Sequence, residues 1–259
     1  MMDFFVREVR AVVDGPLAIV RLGSCGSIRT PPMVGKMIVP NGAFAVTRNY
    51  NYFSNAGEAS SEEKPYHFTK VFDADPELCE KIESQLLKSF GENEICKGLN
   101  ATCDSFYSSQ GRYDENFRDH NSDLISTILA TYPNTVSLEM ETFMLYHLAK
   151  TSTSAPLKGS NKDSNSIKAA ATMMVFADRI TNEFISSDKV QSLQEIAGKA
   201  VLNALAEIEL NEVHPNNEEC VWNNEAITES FTKKRKRVVK AASKPAPAKR
   251  HSTRATRGG

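Results

Sequence analysis

The twelve residues LAIVRLGSCGSI, 17–28, decide how the rest of the chain is read. Leu17 to Leu22 is apolar at all but one position and has the length of a strand, and Gly23-Ser24-Cys25-Gly26 reads as a tight turn at its end. Lys36 to Val39 and Phe44 to Thr47 repeat the pattern as two more short strands punctuated by glycine and proline. Helical spacing then takes over. Asp75-Pro76 is a helix start, with Asp as cap and Pro at the first helical position. Leu78, Ile82, Leu86 and Leu87 fall on one face, and Gly91 is a natural stop. Pro133-Asn134 marks a turn, and Glu139 to Ala149 carries Met140, Phe143, Met144, Leu145 and Leu148 at helical spacing behind an acidic first turn. Ala169 to Ala177 has the length of a strand, and Val190 to Ile208 that of a long amphipathic helix. Strands alternating with helices imply an α/β sandwich.

The formal charge of −1 conceals an asymmetry. Eleven of the 31 Lys and Arg lie between Lys233 and Arg257, a stretch without acids, which leaves 20 bases against 32 acids in the rest. An acidic body repels a phosphate backbone at long range, so any nucleic-acid contact belongs to the tail. Residues 211–259 lose apolar periodicity and are expected to be a disordered basic tail, whose KKRKR run resembles a nuclear-localisation or nucleic-acid-contacting segment. Thr151 to Ser166 is expected to be a flexible insertion. No stretch approaches a membrane span and the N-terminus lacks a signal peptide's apolar run, so the expectation is a cytoplasmic protein with access to the nucleus through its tail. Cys25, Cys79, Cys96, Cys103 and Cys220 are odd in number and never spaced as CxxC, which indicates buried thiols and neither a disulfide framework nor a metal site.

Three clusters carry chemistry. In RLGSCGSI, Arg21 to Ile28, an arginine, a hydroxyl and two glycines can cradle an anion, although a ligand-free turn has the same letters. In GLNATCDSFYSSQGRYD, Gly98 to Asp114, Gln110 and Arg112 lie two apart, and on one extended face their amide and guanidinium can read a planar imide. A solvated polar loop is the plainer alternative. In VSLEMET, Val136 to Thr142, Glu139 and Glu141 flank Met140, where a carboxylate can accept the two hydroxyls of a ribose; acids at a helix start are the commoner explanation.

In order and spacing these clusters resemble the nucleoside phosphorylase family, with the uridine phosphorylases as the nearest branch. The resemblance runs from about Met1 to Leu210, and its specific part is the Phe-Tyr-x-x-Gln-x-Arg element. It implies a three-layer α/β/α sandwich with a mixed central sheet over residues 1–210. It also implies a site in which Arg21 and Ser24 contact phosphate, Cys25 and Gly26 line the wall, and Phe106 stacks near sugar or base. Gln110 and Arg112 would hold the uracil edge, Glu139, Met140 and Glu141 the ribose, and Arg179 would support the base-reading loop.

The implied reaction is phosphorolysis, with inorganic phosphate as co-substrate and no cofactor or metal. Charge grows on the departing base, so Arg112 is the principal catalytic residue and Arg21 holds the nucleophile. Members form homodimers or hexamers, which is the expected assembly here. Against the family pattern, the chain starts at the helix before the Arg21 strand, so the domain is expected to be N-terminally incomplete, without the Gly-Arg phosphate loop. That favours a catalytically incomplete nucleoside-binding relative as one alternative. Cys25 replaces a threonine or similar small residue. Asp178 stands where purine enzymes of the family keep an acid, which makes a purine nucleoside phosphorylase the other alternative.

Overall fold

The computed structural model describes residues 1–13, 15–31, 33–54, 63–152 and 167–210. Helix α1 (Met2–Val12) leads into β1 (Leu17–Ser27) and β2 (Met37–Arg48). The short α2 (Tyr50–Ser54), β3 (Tyr66–Phe68) and β4 (Phe72–Asp73) follow. Next come α3 (Pro76–Phe90), β5 (Ile95–Cys103), α4 (Leu124–Thr131) and β6 (Thr135–Glu139). The fold ends in α5 (Thr142–Thr151), β7 (Ile167–Asp178) and α6 (Ser187–Ala206), and Met1–Asn211 form one unit. The tail, and the expected insertion from residue 153 on, lie outside the described residues.

The seven strands make one mixed sheet in the order β3-β2-β5-β6-β1-β7, with β4 on β2. Strands β1 and β7 run parallel along their whole length, and so do β2 and β5. Strand β6 is parallel to β5 and antiparallel to β1. The sheet is layered because its side chains alternate. On one face Ala18, Val20 and Leu22 of β1 and Ala170 and Met174 of β7 pack under α3 and α6. On the other, Leu17 and Ile19 of β1 and Ala169 and Ala171 of β7 pack under α1 and α5. Every second residue thus feeds one helical layer, which yields the three-layer α/β/α arrangement. The pairing of Met37 and Ile38 in β2 with Met174 and Met173 in β7 also returns the path β2-β5-β6-β1-β7 to its start. The resulting ring encloses a small core of Cys25, Ile38, Val136, Met173 and Val175.

Helix α3 starts as its letters predict: the Asp75 carboxylate accepts from Leu78 N at 2.9 Å, Pro76 is the first helical residue, and Gly91 ends the helix at φ 85°. A cap of this kind is worth about 1 kcal/mol. Elsewhere the elements outgrow the local signals. The two short strands read at 36–39 and 44–47 are one strand, β2, because the register slips between Pro40 and Gly42. Such a bulge is a place where a strand tolerates proline. The helix read from Glu139 begins at Thr142, and Glu139 closes β6 instead. In α6, Ile196 is 41% exposed although it falls within the apolar stripe.

Candidate functional site

Arg21 is where the site begins. The Gly-Ser-Cys-Gly segment is not a turn: β1 continues through it to Ser27, hydrogen-bonded to β7 throughout and to β6 at Gly26 and Ser27. Its two glycines serve the side chains around them. A Cβ on Gly23 would sit 2.7 Å from Arg21 Nη1 and 2.8 Å from Cζ, because the guanidinium folds along the strand over the residue two positions on. A Cβ on Gly26 would sit 3.0 Å from Arg179 Cδ. Both glycines are therefore vacant space that lets an arginine lie against the sheet.

Thus placed, the Arg21 side chain is only 10% exposed. Its Nη2 donates to Glu141 Oε2 and lies 3.1 Å from Glu139 Oε2, while Nη1 is buried and has no hydrogen-bond partner among the described residues. A buried guanidinium nitrogen without an acceptor is costly, and an anion at that edge would satisfy it.

Glu139 is 4% exposed and its carboxylate is saturated. Oε1 accepts from Asn100 Nδ2 and, at 2.6 Å, from Thr102 Oγ1. Oε2 accepts from Glu141 N at 2.8 Å and Thr142 N at 3.0 Å, so the carboxylate caps the start of α5 from the end of the preceding strand. Glu141 differs, with a side chain 40% exposed, and Met140 beside it is 39% exposed. Of the Glu-Met-Glu triplet, the last two residues face outward and the first is tied down.

The loop after β5 is a compact turn, contrary to the extended face expected for Gln110 and Arg112. Ser108–Gln110 form one 3-10 turn and Gly111 adopts φ 65°, a left-handed conformation that glycine enters without steric cost. Arg112 N then donates to Tyr107 O at 3.0 Å, which folds the arginine back: Nε donates to Phe106 O at 2.9 Å and Cζ stacks 4.0 Å from the Phe106 ring centre. Asn121 locks the turn by donating to the carbonyls of Ser108 and Arg112, each at 2.9 Å. Gln110 is buried, and its carbonyl accepts from Arg179 Nη2 at 3.0 Å. Arg179 itself is anchored by its N–H to Ser27 O. Burial, and then the neighbouring Arg112, push the Arg179 guanidinium down to about 10, and burial lowers Arg112 too. Neither makes an ion pair among the described residues, so this corner holds positive charge ready for an anion.

Both arginines lie against β1, Arg21 over Gly23 and Arg179 over Gly26. Gly23 and Gly26 are three strand residues apart, about 10 Å. Burial holds the thiol of Cys103, at the end of β5, well above its ordinary range. Cys25 lies between, 7% exposed, with Sγ 3.7 Å from Met174 O. Burial first, and then Glu139, hold its thiol far above the ordinary range, as suits a residue of the small core inside the strand ring. Ser24 is exposed on the same strand.

Asp178, the residue behind the purine alternative, is 1% exposed and fully occupied. It accepts from Ser27 Oγ, Ile180 N at 3.0 Å, Thr181 N at 2.9 Å and Thr181 Oγ1 at 3.1 Å. Burial alone would raise its pKa, but these donors outweigh it and leave the carboxyl below the usual range. It clamps the loop that follows β7. Sequence reasoning missed Asn100 and Thr102; their signal was a pair of polar residues two apart in the buried second half of a strand.

A model of the phosphorylase superfamily matches residues 1–155 of this chain. Among solved structures, one from work on two uridine phosphorylases of the oomycete Phytophthora capsici is 34% identical with a TM-score of 0.71, covering 81% of this chain and 72% of that one. A Trypanosoma brucei nucleoside phosphorylase, whose crystal structure shows uridine phosphorylase activity, shares the fold at 19% identity. Its TM-score is 0.53, with 74% of this chain and 64% of that one covered. No curated protein matches the sequence. With the family model over more than half its length and a solved relative above 30% identity over most of both chains, the chain belongs to the phosphorylase superfamily and carries the nucleoside phosphorylase fold.

Proposed function

We propose that this chain catalyses the phosphorolysis of uridine, or a related pyrimidine nucleoside, to free base and ribose 1-phosphate. The observation that carries the reading is the pair Arg112 and Arg179, free of carboxylate partners among the described residues and gathered around Gln110, with Arg21 and its unpartnered Nη1 one strand segment away. In such a reaction a phosphate oxygen attacks C1′ and the bond from C1′ to the base nitrogen breaks. Its electron pair moves onto the ring oxygens, and the released base takes up, by way of water, the proton that the attacking hydrogen phosphate gives up. Positive charge held beside the base binds that developing anion more tightly than the neutral nucleoside, an effect worth a few kcal/mol per donor. Arg21 would orient the phosphate, with Ser24 as a further contact. Phe106 would flank the sugar or base, Gln110 would read the imide, and Met140 and Glu141 would hold the ribose.

Inorganic phosphate is the co-substrate in this account, and a homodimer or hexamer the working assembly. The purine reading is weaker because it needs a protonated acid at Asp178, and that carboxylate is ionised and already accepts four hydrogen bonds. The test is a substrate panel: uridine, thymidine and inosine with and without phosphate, following base release. Faster cleavage of uridine than of inosine supports the proposal. Cleavage of inosine alone overturns it.

A further inference from the structure

We propose that the buried side chains of Asn100 and Thr102 are positioning residues, which act through Glu139 to hold the phosphate corner and the ribose corner in one register. The inference rests on the roles proposed above for Arg21 and Glu141. Glu139 touches both. On one side its Oε2 lies 3.1 Å from Arg21 Nη2, and on the other it accepts the backbone N–H of Glu141 at 2.8 Å. Any rotation of that carboxylate moves the arginine and the Met140-Glu141 junction together.

What prevents the rotation is Oε1. It accepts from Thr102 Oγ1 at 2.6 Å and from Asn100 Nδ2, and Asn100 Nδ2 also lies 3.1 Å from Thr102 Oγ1. Asn100 is itself fixed, since its Oδ1 accepts from Ser137 Oγ at 2.8 Å. Thr102 Oγ1 accepts from Phe143 N at 2.8 Å, tying the first turn of α5 to β5. Every member is buried, with Asn100 and Ser137 at 0%, Thr102 at 7% and Glu139 at 4% exposed. Water therefore cannot readily replace a lost donor, and the network specifies one arrangement. A carboxylate with all these donors has no lone pair left for ribose hydroxyls. Glu139 thus belongs with Asn100 and Thr102 as a support, and the ribose contact falls to Glu141.

The experiment compares the full chain with Thr102→Val, Thr102→Ser and Asn100→Ser. It measures inorganic phosphate affinity by calorimetry, KM for phosphate and for uridine, kcat, and Tm. Thr102→Val keeps the volume and removes the donor to Glu139. It is expected to weaken phosphate binding and raise both KM values together, by about three- to tenfold each, less than the loss of a direct charged hydrogen bond. Thr102→Ser restores the hydroxyl and should return all of these to within about twofold of the parent, well inside the effect of one hydrogen bond. Asn100→Ser, too short to reach Glu139, should follow Thr102→Val, and it decides the matter if the valine variant does not fold. The proposal is overturned if only one substrate responds, if Tm falls while phosphate affinity and both KM values stay, or if the serine at 102 behaves like the valine. A parent that cleaves no nucleoside sinks the proposed function by itself. The positioning claim is then decided by phosphate affinity alone, and unchanged affinity in the valine variant overturns it.

Discussion

Gly23→Ala perturbs the site with one methyl group. The new Cβ would lie 2.7 Å from Arg21 Nη1 and 2.8 Å from both Cζ and Nη2. Ordinary contact begins near 3.5 Å, so the guanidinium must retreat by about 0.8 Å or more. Gly23 has no positive φ among the glycines that need one, so the backbone accepts alanine without strain. The obstacle is the end of a flexible side chain, which can move at small cost in stability. Its bonds cannot follow: the 3.1 Å approach to Glu139 and the bond to Glu141 both depend on the folded-back pose. A misplacement near 1 Å in a positioning group can cost about 100-fold in rate, so kcat/KM for phosphate should fall by about 10- to 100-fold. Tm should drop by less than about 4 °C, the shift expected for 1 kcal/mol in a domain of this size. The assay is initial-rate phosphorolysis of uridine at varied phosphate, with Tm by calorimetry. Activity within twofold of the parent would show that the arginine does not need its place over Gly23.

Other outcomes follow from the same geometry. Arg112→Ala removes a guanidinium from the base corner and should lower kcat/KM for uridine by a few kcal/mol of transition-state stabilisation; steady-state kinetics within about twofold of the parent would sink its assignment. Glu141→Gln should chiefly raise KM for the nucleoside, and comparing uridine with its 2′,3′-dideoxy analogue shows whether the lost contact is to the ribose hydroxyls. Asp178 has a folded pKa below its usual value, so its contribution to stability is present at neutral pH and is lost as pH falls below about 4 and through the folded pKa. Asp178→Asn should flatten the acid limb of a Tm-against-pH curve, and an unchanged limb contradicts the clamp. Removing residues 211–259 should leave Tm and turnover unchanged while ending retention on immobilised DNA at low salt, and a truncated chain that unfolds refutes the division.

Much of this was legible from local letters, and the rest depended on long-range pairing. Asp75, Pro76 and Gly91 mark the ends of α3 because capping is a local event within four residues. The α/β alternation was legible for the same reason. The glycines of RLGSCGSI misled, since a glycine that opens a turn and a glycine that makes room for an arginine look alike until the strand's partners are known. With β7 on one side for its full length, the strand had no reason to stop at Leu22. The ring closure between β2 and β7 joins segments far apart in sequence and has no local signal. At the candidate site, Arg21, Gln110, Arg112, Glu141 and Arg179 stand out in the sequence by type and order, and the fold brings Arg21 to Glu141 and Arg179 to Gln110. What sequence could not distinguish was the carboxylate of Glu139, saturated by buried donors, from that of Glu141 two residues on.

Incubation of the purified protein with uridine and inorganic phosphate, with uracil and ribose 1-phosphate quantified together, decides whether the chain is a uridine phosphorylase. Equimolar uracil and ribose 1-phosphate are expected, with no uracil released when phosphate is omitted. Uracil formed at the same rate without phosphate, with free ribose as the second product, would contradict it, and so would no release at all.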